Sequence, residues 1–347
     1  MKRETVRDAV RRTTKAICAT VLVWVSLLAG PGPITGPAPA AAQEKVTLRL
    51  SFIPTGYDAP YFTALGKGYY KEEGLDVTIA RGFGSGDTAK RLAARADTFG
   101  SVAFFTAAKA VAEGAPLVIV GAGLGEGAGA IVALKESGIR DVKDLVGRTL
   151  ADSPGNAFGL QLPALFRAAG VDLSKVKITE MDIVLKSGAL VAKKVDAIVG
   201  LLAAEPAAFK VKGVDVSVIE YRKYLKILEL SIGAHRDLVR EKPDLVRRFL
   251  RASYRGARDF ARNMEEAVDY VHRLHPAVDR MTYLEQGRMS YDIWVTPVAK
   301  ERGFGWIDET LAKNTIEVAA EAYNIAKPPR PADLYTNEFL PVPPIKP

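Results

Sequence analysis

The stretch from Leu48 to Phe105 constrains the fold more than any other, because short apolar runs and helical patterns alternate along it, punctuated by turn residues. Leu48–Ile53 is an apolar run that stops at Pro54-Thr55-Gly56, the pattern of a strand ending in a turn. Asp58 is placed to cap a helix with Pro60 in its first turn, and Gly66 and Gly68 close that helix near Lys67. Leu75–Ala80 reads as a second strand. Gly82–Asp87 reads as a tight turn into a helix over about Thr88–Arg95, and Thr98–Val102 as a third strand running into Ala103-Phe104-Phe105. Strand and helix in strict alternation predict a parallel α/β sheet, whose ligands sit beyond the carboxyl ends of the strands. The three visible ends offer Tyr57, Tyr61, Phe83, Ser85, Asp87 and Phe104 as candidate ligand contacts. Core is the commoner place for each of these aromatics, and Ser85 or Asp87 reads equally as a plain helix cap.

Downstream, Ala115–Val120 is a buried-type strand leading into the glycine-rich run Gly121–Gly127. That run is no dinucleotide fingerprint, because Ala128–Leu134 reads as another strand where a helix would have to open. Arg148–Ala151 is a strand, and Asp152-Ser153-Pro154-Gly155-Asn156 leads into a helix over about Ala157–Ala169. The free N–H groups of such a helix start suit a polar ligand edge, which adds Ser153 and Asn156 to the candidates; a capped helix start is the alternative. Strands follow at Val176–Glu180, Ala197–Leu202 and Val214–Ile219, with a helix over about Ile183–Lys194, and Ile227–Ala234 should cross back to the first lobe. From Glu241 the pattern is helical, and from Lys327 the chain is proline-rich and reads as an extended surface tail.

Several segments resemble one family. GYYKEEGLDVTI and GSGDTAKRLAARADTFGSV, then VDAIVGLLAAEP, VSVIEYRKY and DLYTNEFLP, are similar to periplasmic substrate-binding proteins of ABC importers. The resemblance points to the binders of thiamine-pyrimidine precursors and their relatives for sulfonates, taurine, nitrate and riboflavin. It implies a two-lobed α/β fold of type II kind, with two parallel or mixed sheets flanked by helices and a ligand cleft between the lobes. The expected lobes are residues 43–130 with 232–347, and residues 131–231, joined by crossings near Gly127–Ile131 and Glu229–Gly233. The implied partners are a small-molecule ligand and an importer's permease and ATPase, met by a monomer that closes on its ligand and uses no cofactor.

In the thiamine-pyrimidine relatives a carboxylate after the VDA strand reads the ring's amino group; Glu205 stands there. The Trp-Asn-Tyr that commonly precedes it is Leu202-Ala203-Ala204 here, so stacking falls to Tyr57, Tyr61, Phe83 or Phe104. A sulfonate or nitrate ligand calls for arginine or helix N-termini, and Arg81 is the arginine evident in the cleft segments. Some relatives are pyrimidine synthases that consume their own histidine, use pyridoxal phosphate and carry a cysteine-rich segment. Here the single cysteine is Cys18 and no histidine precedes His235, so the expectation is a binding protein and not an enzyme.

The chain's formal charge of +8 falls to +4 once the first 42 residues are set aside, and no basic cluster interleaved with aromatics favours nucleic acid. Those first residues have the order of a secretory leader: a basic cluster, the apolar run Ala16–Ala29, and Ala40-Ala41-Ala42 as an A-x-A site. The run is short for a membrane span, although an uncleaved anchor is the alternative, and Arg11-Arg12 hints at twin-arginine export. Export to the periplasm with cleavage before Gln43 is the expectation. The intact mass of protein recovered from the native envelope should correspond to residues 43–347; a mass that includes residues 1–42 would show that the leader is retained.

Overall fold

The computed structural model describes residues 43–125 and 127–347, so the leader expected over residues 1–42 lies outside the described residues. Two five-stranded sheets carry the two lobes. The first holds β1 (Glu44–Arg49), β2 (Leu75–Ala80), β3 (Phe99–Ala103), β4 (Leu117–Ala122) and β10 (Leu230–His235), in the order β2-β1-β3-β10-β4. The second holds β5 (Gly129–Leu134), β6 (Thr149–Asp152), β7 (Lys177–Glu180), β8 (Ala197–Leu201) and β9 (Val216–Glu220), in the order β7-β6-β8-β5-β9. In each sheet four strands run in one direction and the strand at the fourth position runs against them. That antiparallel strand is the one that arrives from the other lobe, β10 in the first sheet and β5 in the second. The sheets are therefore mixed, not purely parallel, because each lobe accepts a strand from a chain crossing back. Strands β3, β4, β8 and β10 are buried at every residue, as expected of apolar runs covered on both faces.

The first strand lies four residues earlier than its apolar run suggests. Beyond Leu50, the carbonyls of Ser51 and Phe52 accept from Gly84 and Gly82 N–H at 2.8 Å each, so this backbone is bound to the glycine turn and not to a neighbouring strand. The next helix opens early as well, at Ser85 (Ser85–Ala93), with Gly84 as its N-cap. The single helix expected over 157–169 is two, Ala157–Leu160 and Leu162–Ala168, broken at Gln161.

The crossings are hydrogen-bonded to one another: Gly123 N–H donates to Leu230 O at 3.0 Å and Glu229 N–H to Gly125 O at 3.1 Å. The C-terminal helices then tie the lobes together. Arg280–Trp294 packs on both the Gly56–Asp58 turn and the helix Glu205–Val211, and Glu309–Tyr323 packs on both Phe104–Ala112 and Leu162–Ala168. The proline-rich tail docks rather than merely lying extended. Leu334 and Phe339 are buried, Thr336 N–H donates to Ile119 O at 3.0 Å, and the Asn337 side chain pairs with Ile307 N and O at 3.0 Å.

The 20-residue helix Pro243–Arg262 is strongly amphipathic and lays its apolar face on Ala59–Gly66 and the first sheet. Phe249 is its central anchor, stacked on Phe99 of β3 at 4.0 Å between ring centroids and on Tyr70 at 5.5 Å. Phe249→Ala should destabilise the protein by about 3–5 kcal/mol, from lost transfer energy and a residual cavity. Phe249→Leu should cost clearly less, and urea denaturation of the two variants checks the order.

Candidate ligand-binding site

A cavity of about 380 Å³ opens between the lobes at the carboxyl ends of β1 and β8, within the range of roughly 300–1,000 Å³ usual for small-molecule sites. From the first lobe come Ser51, Phe52, Ile53, Thr55, Tyr57 and Ser85. The second lobe adds Asn156–Phe158, Ile183, Lys186, Gly200, Leu201 and Glu205, and the C-terminal helices contribute Gln286. The walls are mostly apolar, with polar groups at a few fixed points.

Four of the sequence candidates meet here. Tyr57 is buried with its hydroxyl 3.4 Å from Ser51 Oγ, and its carbonyl accepts from Trp294 Nε1 at 2.9 Å, which fixes the turn. Burial, with the nearby Asp58 and Glu205 carboxylates, keeps its phenol protonated. Ser85 starts its helix at the cavity wall, but its hydroxyl accepts from Ala103 N–H at 3.0 Å and does not cap the helix. Asn156 does cap, accepting from Phe158 N–H at 3.3 Å, and donates to Asp152 Oδ1 at 2.6 Å. Glu205 stands in the first turn of its helix with Oε2 accepting from Leu201 N–H at 2.8 Å. Its carboxylate folds over Gly200, where a Cβ would lie 2.6 Å from the carboxyl carbon. Only glycine at that position lets the acid reach back along the strand.

The other candidates lie elsewhere. Tyr61 packs edge-on against Trp294 at 5.8 Å, and Phe104 is fully buried against Tyr335, so both serve the core of the first lobe. Phe83 is 54% exposed beneath the Arg81 guanidinium and does not line the cavity. Asp87 pairs with Arg91 one turn along its helix, at 2.9 Å. Ser153 is buried behind the wall, its hydroxyl without a partner. The turn around Gly84 nonetheless has a tight requirement of its own. Gly84 has φ of 110° and a Cβ there would meet Gly155 O at 2.5 Å, while Gly86 N–H donates to that same oxygen at 3.2 Å. The helix start thus bonds the opposite lobe across the cleft, and its glycines permit that approach.

Sequence reasoning missed several groups. Lys186 lines the cavity although only 1% exposed, its Nζ donating to Val199 O. A lysine inside the apolar pattern Ile183–Val191 is the signal that marks it. Gln286 accepts from Gly56 N–H at 2.8 Å across 230 residues of sequence, which no local pattern reveals. Asp58 does not cap the following helix. Its Oδ2 accepts from Thr55 N–H at 3.0 Å and from Thr55 Oγ at 3.1 Å, and its Oδ1 has no partner, so burial pushes its pKa up to about 7. Glu229, in the second crossing, is also fully buried. Burial pushes its pKa up to about 8, against the pull of the Gln161 amide at 3.2 Å and the nearby N–H groups of Gly129 and Ala128.

Residues 56–267 match the family described as NMT1/THI5 like. The chain belongs to the NMT1/THI5-like family. Among its relatives, the riboflavin-binding protein RibY of Chloroflexus aurantiacus is 30% identical over 321 residues, spanning 89% of this chain and 90% of that protein. The 4-amino-5-hydroxymethyl-2-methylpyrimidine phosphate synthase of Legionella pneumophila is 24% identical over 316 residues, spanning 88% of this chain and 95% of that one. In fold the chain is similar to the alkanesulfonate-binding protein SsuA from Xanthomonas axonopodis pv. citri bound to MOPS. The TM-score is 0.68 at 13% identity, covering 86% of this chain and 100% of that one. This NMT1/THI5-like chain therefore has the two-lobed periplasmic binding protein fold.

The two buried carboxyls give this family member a pH dependence of defined sign. A carboxyl whose pKa rises on folding holds its proton more tightly when folded, so its stabilisation is complete below about pH 4 and is lost as pH rises through 7 to 8. Stability should fall by several kcal/mol between about pH 4.5 and pH 8.5. Glu44 and Asp259, lowered in ion pairs, act below that window. Urea titrations at both ends of the window should show the fall, and Asp58→Asn and Glu229→Gln should each flatten it.

Proposed function

We propose that the chain is the extracytoplasmic solute-binding component of an ABC importer, capturing a flat nitrogen-containing heterocycle by hinge closure and passing it to a membrane permease and its ATPase. The observation that carries this is the interlobe cavity with Glu205 at the carboxyl end of β8. Apolar walls suit a ring, and a carboxylate held by Leu201 N–H suits a ring N–H or amino group. The names of relatives agree with such a ligand, one a riboflavin-binding protein and others enzymes that make a pyrimidine. The periplasm is the compartment this reading requires, with the lobes hinged near residues 127–131 and 229–233.

A sulfonate or nitrate ligand is the second reading, favoured by the buried Lys186 in the cavity wall. It is the weaker one, because an anion in that space also meets the Glu205 carboxylate. Catalysis of the pyrimidine-synthase kind draws no support from the cavity. His235, His272 and His275 do not line it, and the chain's cysteine lies in the leader.

A thermal-shift screen of pyrimidines, flavins and sulfonates should find a stabilising heterocycle, since a ligand at a hundredfold excess over Kd adds about 2.7 kcal/mol. Glu205→Gln should weaken that ligand about ten- to a hundredfold by titration calorimetry, with little change in stability. An unchanged Kd would remove Glu205 from the site, and a sulfonate hit with no heterocycle hit would favour the second reading.

A further inference from the structure

Strand β8 ends with one edge open. It pairs with β5 as far as Leu201, but with β6 only through Leu150–Ala197 and Ala151–Ile198. Residues two apart on a strand direct their backbone polar groups to the same edge, so Val199 C=O and Leu201 N–H both face the side that β6 has left. Leu202 N–H, one residue on, turns the other way to Ala128 O at 2.7 Å. Side chains from two different helices occupy the open edge. Lys186 Nζ, from Ile183–Val191, donates to Val199 O, and Glu205 Oε2, from Glu205–Val211, accepts from Leu201 N–H at 2.8 Å. Both residues line the cavity.

The two charges are thus anchored next to each other without neutralising each other. Among the described residues no carboxylate lies within 4.0 Å of Lys186 Nζ. Asp152 feels its charge but is bonded to Asn156, and burial raises the pKa of that acid. A buried ammonium with one backbone carbonyl for three N–H groups is under-satisfied, and so is a carboxylate with one oxygen engaged. Their unmet capacity is a donor beside an acceptor.

Resting on the solute-binding reading above, we infer that Lys186 and Glu205 together read one edge of the ligand, and that this edge is a lactam or imide, a ring carbonyl beside a ring N–H. The ammonium donates to the carbonyl oxygen, whose two lone pairs and partial negative charge suit it better than the single lone pair of a ring nitrogen. The carboxylate accepts from the N–H. A simple oxyanion satisfies the lysine and repels the glutamate, and a cation does the reverse. Phe52, Ile53, Phe158 and Ile183 supply the apolar walls for the ring.

Titration calorimetry on the processed protein tests this with four probes: riboflavin, which carries an imide edge; 3-methylriboflavin, in which that N–H is replaced; 4-amino-5-hydroxymethyl-2-methylpyrimidine, which has no carbonyl; and taurine. Riboflavin should bind most tightly, and 3-methylation should weaken it at least tenfold. Lys186→Met should weaken riboflavin about ten- to a hundredfold while leaving the folded protein at least as heat-stable, because it removes a buried charge. If that variant does not fold, the methylated probe on the unaltered protein carries the test. Equal affinity for riboflavin and its 3-methyl form, an unchanged Kd in Lys186→Met, or tighter binding of the aminopyrimidine or taurine would overturn the lactam-reading pair while leaving a solute-binding protein. Failure of all four probes to bind would overturn both.

Discussion

The crossing between the lobes is the constraint on which the rest of the molecule depends. The chain passes between the sheets twice here, and its backbone must remain hydrogen-bonded where neither sheet is continuous. The chain meets this by bonding the crossings to each other through Gly123, Gly125, Glu229 and Leu230. The buried Glu229 carboxyl, with the Gln161 amide against it, sits at that junction. A buried acid is costly when charged and tolerable when neutral, so the junction is held by a group that favours its proton. Because β10 and β5 each lie inside the sheet they enter, the crossing sets the relative position of both sets of strand ends, and hence the width of the cleft.

The cavity is built from those strand ends by short-range devices. Gly84 brings the first lobe's helix start to within hydrogen-bonding distance of Gly155 on the second. Gly200 clears the path for Glu205 to bond its own strand, and Lys186 fills the neighbouring acceptor on the same edge. None of these groups belongs to the hydrophobic core, yet each depends on it. The helices that carry Lys186 and Glu205 are oriented by packing on the second sheet, and the Tyr57 turn is pinned by Trp294 from a C-terminal helix that also contacts Glu205–Val211.

The relatives separate fold from ligand. Proteins named for riboflavin, for a pyrimidine phosphate and for alkanesulfonates share this architecture, the last at 13% identity. The sheets and crossings tolerate that divergence because they require apolar runs of the right period, not particular side chains. Fold alone therefore does not name a ligand, because function lives in the site that a fold carries.

The alternation of strand and helix and the turn residues determined the α/β class and the position of Glu205 after an apolar strand, because these follow from local period and turn chemistry. Tertiary structure decided which side chains face the cleft. Tyr61, Phe83 and Phe104 have the composition of ligand contacts, yet two are core and one is solvent-exposed, since a strand end alone does not say which neighbours arrive to cover it. Asp87 reads as a helix cap or a ligand contact and is a half-buried ion-pair partner, because Gly84 takes the cap position. Gln286 reaches Gly56 across 230 residues, and Lys186 meets Val199 only because a helix lies back over β8 where β6 ends. The sheet's mixed direction was likewise decided by long-range pairing, since strand direction depends on how the chain returns and not on the residues of the strand.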